Sequence, residues 1–271
     1  MDLVQALILG VVQGSTEFLP VSSSGHLVLV PWLAGWEPAG LAFDAVVHWG
    51  TALAVLVYFR RDWLGLLRAA LRSLQRRVPM EPQARLAWVI VLGTLPAALI
   101  GYLFEDFFED LFSEPVPAAG FLLVTAVLLV VSERLSRRER DLDTLTWRDV
   151  LLIGLAQALA IFPGSSRSGA TIAAGLVLGL RREQAARFSF LLATPIILGA
   201  GLLQIADLAQ TGSLAGELAV LVGGFVSAAA VGLGCIHLLL KYLRTRRLFL
   251  FSAYCAIAGV FFLATALVRG S

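Results

Sequence analysis

Charge is what this 271-residue chain has least of: Asp, Glu, Lys and Arg make up 15% of it, against about a quarter in a soluble domain. So little polarity cannot cover the surface of a soluble domain of this length. Cysteine is scarce as well, with two residues. Cys235 and Cys255 both lie in apolar runs without metal-ligand spacing and are predicted to be small buried hydrophobes. Charge imbalance is also missing: a net charge of +2 is too small to imply a nucleic-acid partner. The opening Met1-Asp2-Leu3-Val4-Gln5 has no basic stretch ahead of its apolar residues, so no cleaved signal peptide is expected.

What the chain has is apolar length. Hydrophobic residues make up 58% of it and the mean hydropathy is +0.84. Full spans need about 20 apolar residues, and runs of that kind lie near 42–59, 86–104, 117–134, 187–206, 216–240 and 248–268. Two further apolar regions, near 2–33 and 150–180, are each broken in the middle by Pro, Gly and Ser. Each reads as two short helices forming a re-entrant hairpin, because irregular backbone at membrane depth survives only when buried in protein or lining a cavity. The predicted fold is all-α: one integral membrane domain over 1–271, a polytopic bundle of six full spans plus two re-entrant helix hairpins.

Charge placement orients the bundle. Arg60, Arg61, Arg68, Arg72, Arg76, Arg77 and Arg85 crowd one connection, and Arg134, Arg137, Arg138, Arg140 and Arg148 another. Arg181, Arg182 and Arg187 form a third cluster, and Lys241, Arg244, Arg246 and Arg247 a fourth. All four are expected on the cytoplasmic side. The 105–114 stretch carries Glu105, Asp106, Glu109, Asp110 and Glu114 with no basic residue, which suits the outer side. These placements agree if neither broken region crosses, the first hairpin entering from outside and the second from the cytoplasm, with both termini outside. Trp32, Trp36, Trp63, Trp88 and Trp147 are expected mostly as interfacial anchors.

The two broken regions resemble each other. Gly10-Val-Val-Gln13 leads to Pro20-Val-Ser22-Ser23-Ser24-Gly25, and Gly154-Leu-Ala-Gln157 leads to Pro163-Gly-Ser165-Ser166-Arg167-Ser168-Gly169. Hairpins entering from opposite faces make this an inverted-topology repeat, with halves of about 1–115 and 116–271. Paired interruptions of this kind point to a site between the repeats.

The polar islands carry the chemistry. Ionisable groups at membrane depth are functional-site candidates by default. Gln13 and Glu17 are four apart and share a helical face, and Pro20 cannot continue their helix. Ser22 or Ser23 then caps the next helix, Gly25 permits close approach, and His26 follows about one turn on. In the second island Ser165 or Ser166 caps, Arg167 offers a planar fork suited to phosphate oxygens, and Thr171 lies four residues on. If the hairpin tips meet, Arg167 and two helix N-termini face Glu17 and His26 and form an anion pocket. Blander roles stand beside these: Glu17 as a charge partner for Arg167, His26 as a packing hydrogen bond, and the serines as backbone caps that let helices approach. His48 and His237 lack polar neighbours in sequence and read as helix-face and packing residues.

On these motifs the chain resembles the undecaprenyl-diphosphate phosphatases of the bacitracin-resistance type, over nearly its whole length. Gln13-x-x-x-Glu17 running into Pro20-Val-Ser-Ser-Ser-Gly-His26 is similar to that family's first motif, and Pro163-Gly-Ser-Ser-Arg-Ser-Gly-Ala-Thr171 to its second. The resemblance implies conversion of a C55 isoprenyl diphosphate to the monophosphate carrier of cell-wall synthesis. It also implies a divalent cation, Mg²⁺ or Ca²⁺, and a bacterial inner membrane with the site opening on the periplasmic side. Carried over by position, the expected catalytic residues are Glu17, His26, Ser23 and Arg167, with Glu17 as metal ligand or general base and His26 as the proton-transfer group. Gln13, Ser22, Ser24, Gly25, Ser166, Ser168 and Thr171 are expected to hold the phosphates. Ser23 is either an activated nucleophile or a phosphate ligand, and both a phosphoseryl intermediate and direct attack by water stay open. Gln13 brings no charge, which puts a two-carboxylate metal scheme in doubt. Expected partners are the polyprenyl diphosphate and membrane lipids, with a homodimer as a further possibility. A transporter or flippase for the phosphorylated carrier is the rival reading, on the strength of the inverted repeat.

Overall fold

The structure, a computed structural model, describes residues 1–75, 81–104, 107, 114–211 and 218–269, with side chains beyond Leu202 in the ninth helix left aside. Among the described residues it is helical throughout, with one isolated bridge between Arg140 and Leu180. In chain order the helices are α1 (Leu3–Thr16), α2 (Ser23–Ala34), α3 (Leu41–Tyr58), α4 (Arg60–Ser73), α5 (Pro82–Leu103), α6 (Pro115–Leu135), α7 (Trp147–Leu159), α8 (Arg167–Val177), α9 (Arg182–Thr211), α10 (Leu218–Leu243) and α11 (Phe249–Arg269). Six of them, α3, α5, α6, α9, α10 and α11, are long and apolar enough to cross a membrane. They coincide with the six expected spans to within a few residues, and the chain is a multi-pass membrane protein.

The termini of the helices follow the local sequence. Asp2 caps α1 and exchanges hydrogen bonds with Gln5, and Thr146 and Asp149 do the same for α7; both are reciprocal capping boxes. Gly35, at φ 68°, closes α2 in the left-handed conformation.

Four basic clusters meet at one end of the bundle. Arg187 pairs with Asp62, Arg244 with Glu183 at 2.8 Å, and Arg85 donates to the Leu145 carbonyl at 2.6 Å. Glu133, 3% exposed, is the knot of this end. It accepts from Arg138 at 2.9 Å, from Arg182 Nε at 3.0 Å and from the Leu248 amide at 3.3 Å. Arg140 ties both feet of the second hairpin to the same end: its guanidinium donates to Asp149 in α7 at 2.7 Å and to the Leu178 carbonyl after α8 at 2.8 Å. At 1.5 Å per residue, α11 carries the chain about 30 Å away from the basic end. There Arg269 donates to the Trp32 and Leu33 carbonyls at 2.9 and 3.1 Å, at the foot of α2. The start of α1 lies at this end too, where Leu3 touches Gly223 near the beginning of α10. The two hairpins therefore point toward each other from opposite ends.

The first basic connection departs from the expected loop. Arg60, Arg61, Arg68 and Arg72 belong to the 14-residue helix α4, which buries Leu66 and Ala69 and exposes Leu64, Leu67 and Leu71. A basic helix with apolar residues left on its surface suits the plane of a membrane interface. Arg76, Arg77, Glu105, Asp106, Glu109 and Asp110 lie outside the described residues.

The opening helices of the two hairpins pack alike: α1 lies against α10, and α7 against α5. Small residues permit both contacts: a Cβ on Gly14 would stand 2.6 Å from the Ala228 carbonyl oxygen, and one on Gly154 2.4 Å from that of Gly93. α3 packs on α10 and α9, and α6 on α11. The tip of the first hairpin enters the main core through Phe18, which meets Phe190 of α9 edge to face with ring centroids 5.2 Å apart. Burying that ring fixes the residue beside it, Glu17.

Candidate functional site

The two polar islands meet. Glu17, the first residue past α1, is 4% exposed and is engaged on both oxygens. Oε1 accepts from Arg167 Nη2 at 2.5 Å. Oε2 accepts from Gln13 Nε2 at 2.9 Å, one helical turn back, and from the Ser23 hydroxyl. Ser168 Oγ donates across the junction to the Leu19 carbonyl at 3.1 Å. Arg167 Nη1 and Gln13 Oε1 are buried with no hydrogen-bond partner among the described residues. Each is a free donor or acceptor in a place where unpaired polar atoms are costly. Ser23, Ser24, Ser165 and Arg167 are half-buried while Gln13 and Glu17 are closed off, so the site has an open side.

Both hairpins present a capped helix N-terminus here. Ser22 caps α2 and accepts from the Gly25 amide at 3.3 Å, with the Ser24 hydroxyl 3.4 Å away. Ser166 caps α8 and accepts from the Gly169 amide at 3.0 Å. Its own amide donates to Thr125 of α6, whose hydroxyl donates in turn to the Gly164 carbonyl. Of the expected alternatives, the caps are thus Ser22 and Ser166. The positive ends of two helix dipoles converge on one place, an arrangement that favours an anion.

The glycines at the tips decide how close the islands come. A Cβ on Gly25 would lie 2.9 Å from Gly164 Cα, and one on Gly164, at φ 86°, would lie 1.9 Å from the Ala118 carbonyl oxygen. Gly164→Ala is expected to lower stability by about 3 kcal/mol or more, combining the strained backbone (~1–3 kcal/mol) with overpacking (~1–3 kcal/mol). Thermal unfolding of the purified variant in detergent checks this, and an unchanged midpoint contradicts it.

Several residues sit where the sequence did not place them. Thr171 Oγ1 donates to the Arg167 carbonyl at 2.8 Å and lies 2.6 Å from Ser189 Oγ. Its hydroxyl and that of Ser168 are buried and engaged by protein, Thr171 beside α9 and Ser168 on the first hairpin. His26 has both ring nitrogens occupied, Nδ1 at 2.7 Å from the Ser22 carbonyl and Nε2 at 2.6 Å from the Tyr254 hydroxyl. His48, expected as a bare helix-face residue, has Nε2 3.8 Å from Glu17 Oε2 and Nδ1 2.6 Å from the Asp44 carbonyl. His237, expected only to pack, has Nδ1 3.3 Å from the Tyr58 hydroxyl. Cys255 is fully buried as expected, with its thiol 3.6 Å from the Pro20 carbonyl.

The donor set does not make a cation site by itself. Among the described residues no three His, Cys, Asp or Glu side chains gather closely enough to hold a metal. The one carboxylate at the junction, Glu17, already serves Arg167, Gln13 and Ser23.

Several proteins are similar to this chain over nearly its whole length. An undecaprenyl-diphosphatase of Anaeromyxobacter sp. (strain Fw109-5) is 51% identical over 266 residues, covering 96% of this chain and 86% of the relative. Undecaprenyl-diphosphatase 2 of Stutzerimonas stutzeri (strain A1501) is 47% identical over 262 residues, covering 96% of both. An undecaprenyl-diphosphatase of Methanosphaera stadtmanae is 44% identical over 270 residues, again 96% of both. The profile of the family described as bacitracin resistance protein BacA matches residues 6–261, a range that holds the tips of both hairpins and every junction residue named above, and this chain belongs to that family.

Proposed function

We propose that the chain hydrolyses undecaprenyl diphosphate to undecaprenyl phosphate and inorganic phosphate, recycling the lipid carrier for cell-wall synthesis. The observation that carries this reading is the junction itself: a buried carboxylate holding a serine hydroxyl on one oxygen and an arginine on the other. Nucleophile, base and phosphate fork stand in one cluster. In the resting site Arg167 is held by Glu17. A phosphate entering from the open side competes for that guanidinium and finds Nη1 unpaired. Once Arg167 turns to the phosphate, Glu17 is left beside the Ser23 hydroxyl and free to take its proton. Ser23 Oγ then forms a bond to the terminal phosphorus as the bond to the bridging oxygen breaks, Glu17 passes its proton to the departing phosphate oxygen, and the monophosphate lipid leaves. Water hydrolyses the phosphoseryl group in a second step, in which the regenerated Glu17 carboxylate takes the water's proton and returns it to Ser23 Oγ as inorganic phosphate leaves. The two helix N-termini and Arg167 stabilise the charge that develops on the phosphoryl oxygens.

The surrounding assignments are part of the same proposal. The halves 1–115 and 116–271 are inverted repeats, supported by the opposed hairpins and by the matching α1–α10 and α7–α5 contacts. The hairpins are re-entrant in a bacterial inner membrane, with the basic end cytoplasmic by the positive-inside rule and the open side of the site periplasmic. The chain works as a homodimer or alone. The Mg²⁺ or Ca²⁺ that the family resemblance implies finds no protein cage among the described residues; an ion bound here would take most of its oxygens from the diphosphate.

Phosphate release from C55 diphosphate by the detergent-purified protein, with and without chelator, tests the reading. Turnover by wild type and its loss in Ser23→Ala are the expected results. Binding of the lipid without phosphate release points instead to the transporter or flippase that opposed hairpins also suit.

A further inference from the structure

The residue before the serine of the junction has an unusual backbone. Ser22 sits at φ 71°, one of two non-glycine residues with positive φ among the described residues. Such a conformation costs about 1–3 kcal/mol and persists only where its surroundings impose it. Here its carbonyl is gripped twice by His26, through the amide at 3.3 Å and through Nδ1 at 2.7 Å. A carbonyl only accepts, so Nδ1 carries the proton. In the neutral ring Nε2 is then a lone pair, and the Tyr254 hydroxyl 2.6 Å away donates to it. The two rings lie nearly parallel, 15° apart with centroids separated by 5.7 Å. Tyr254 in turn stands on a braced helix. Ser252 donates to the Ala126 carbonyl at 2.7 Å, and the Cys255 thiol faces the Pro20 carbonyl at 3.6 Å, at the turn of the first hairpin.

We propose that Tyr254 and His26 are positioning residues that lock the strained Ser22 carbonyl and thereby aim Ser23 at Glu17, and that His26 carries no proton in the reaction. Neither ring nitrogen has a free edge: one holds the Ser22 carbonyl and the other the phenol. Tyr254 acts through His26 and touches no substrate. A last-helix tyrosine thus sets the geometry of a nucleophile on the first hairpin. The kinetic part of this inference rests on the hydrolase reading, in which Ser23 does the chemistry.

The test uses full-length protein in detergent. Tyr254→Phe keeps the ring at a position that is 45% exposed and removes only the hydroxyl, so the variant folds. It is expected to lower kcat about tenfold, the equivalent of one lost hydrogen bond, with KM within about twofold of wild type. His26→Ala is expected to lose about a hundredfold in kcat, as a misplaced nucleophile does. His26→Asn, whose amide N–H replaces Nδ1–H but which leaves the phenol no ring to hold, restores kcat to about the level of Tyr254→Phe. Adding Tyr254→Phe to His26→Asn costs no more than about twofold, because no ring remains to lock. Wild-type kcat in Tyr254→Phe overturns the proposal, and so does a His26→Asn variant as slow as His26→Ala, which makes the imidazole itself a proton carrier. Nitrogen NMR of labelled histidine separates this from any failure of the hydrolase reading. His26 is expected as the Nδ1–H tautomer with a hydrogen-bonded Nε2, and the Nε2 resonance moves toward its free position in Tyr254→Phe. The opposite tautomer, or no movement, overturns the lock whether or not phosphate is released.

Discussion

Arg167→Ala is expected to lower kcat for phosphate release by about 10³–10⁵-fold, the range lost when an arginine that neutralises a transferring phosphoryl group is removed. Among the described residues no other Lys or Arg pairs with Glu17: its remaining contacts are the neutral amide of Gln13, the Ser23 hydroxyl and, at 3.8 Å, the His48 imidazole. The same substitution carries a folding cost. Glu17 is 4% exposed, and breaking a buried ion pair by removing one partner costs about 3–5 kcal/mol, since the other charge is stranded. Both effects must be read together, so turnover is measured on protein whose unfolding midpoint and elution volume are also recorded. Arg167→Lys separates them. A lysine keeps the charge beside Glu17 and recovers most of the stability, yet presents a point charge in place of a planar fork and leaves turnover at least about a hundredfold down. Near-normal turnover by a folded Arg167→Ala protein removes the phosphate-binding role.

The junction was legible in the sequence because its residues are out of place there. A carboxylate, an amide, an arginine and serines inside apolar runs have few explanations, and Gln13, Glu17, Ser23 and Arg167 do come together. The six long helices were legible for the same reason in reverse, as uninterrupted apolar length. What escaped was set by tertiary neighbours. A hydroxyl serves a ligand or a carbonyl equally well, so only the positions of Leu19, Arg167 and Ser189 show which protein groups engage Ser168 and Thr171. Tyr254 is an aromatic residue in an apolar span, with nothing in its own surroundings to mark it; its meaning lies in His26, 228 positions away. Serine rarely takes positive φ, so the strain at Ser22 had no sequence signal either.

Two features had signals that went unused. His48 follows Asp44 by one helical turn inside an apolar span. Two polar residues on one face of a membrane helix merit the same default suspicion as the islands, and His48 does reach toward Glu17. The stretch from Arg60 to Ser73 carries a second signal beside its arginines. Its leucines at 64, 67 and 71 recur at helical spacing, and the region forms α4.

Glu17→Gln is the substitution that distinguishes a base from a strut. The amide is nearly isosteric, its oxygen still accepts from Ser23, and Gln13 remains one turn away, so the junction keeps its shape. What disappears is the charge. If Glu17 takes the proton from Ser23, and later from water, kcat is expected to fall about 10²–10⁴-fold, the contribution of a positioned general base. KM is expected to move the other way. In the resting site the carboxylate competes with substrate for Arg167; a neutral amide competes less, the guanidinium is freer for phosphate, and the variant binds the diphosphate more tightly. A fall in kcat together with a fall in KM marks a residue that opposes ground-state binding while aiding the chemical step. A strut gives a different pattern: the amide holds Arg167 less firmly, stability drops, and kcat stays within a few-fold of wild type. Steady-state kinetics of the purified variant, read beside its unfolding midpoint, decides between the two, because only loss of the base slows the bound substrate.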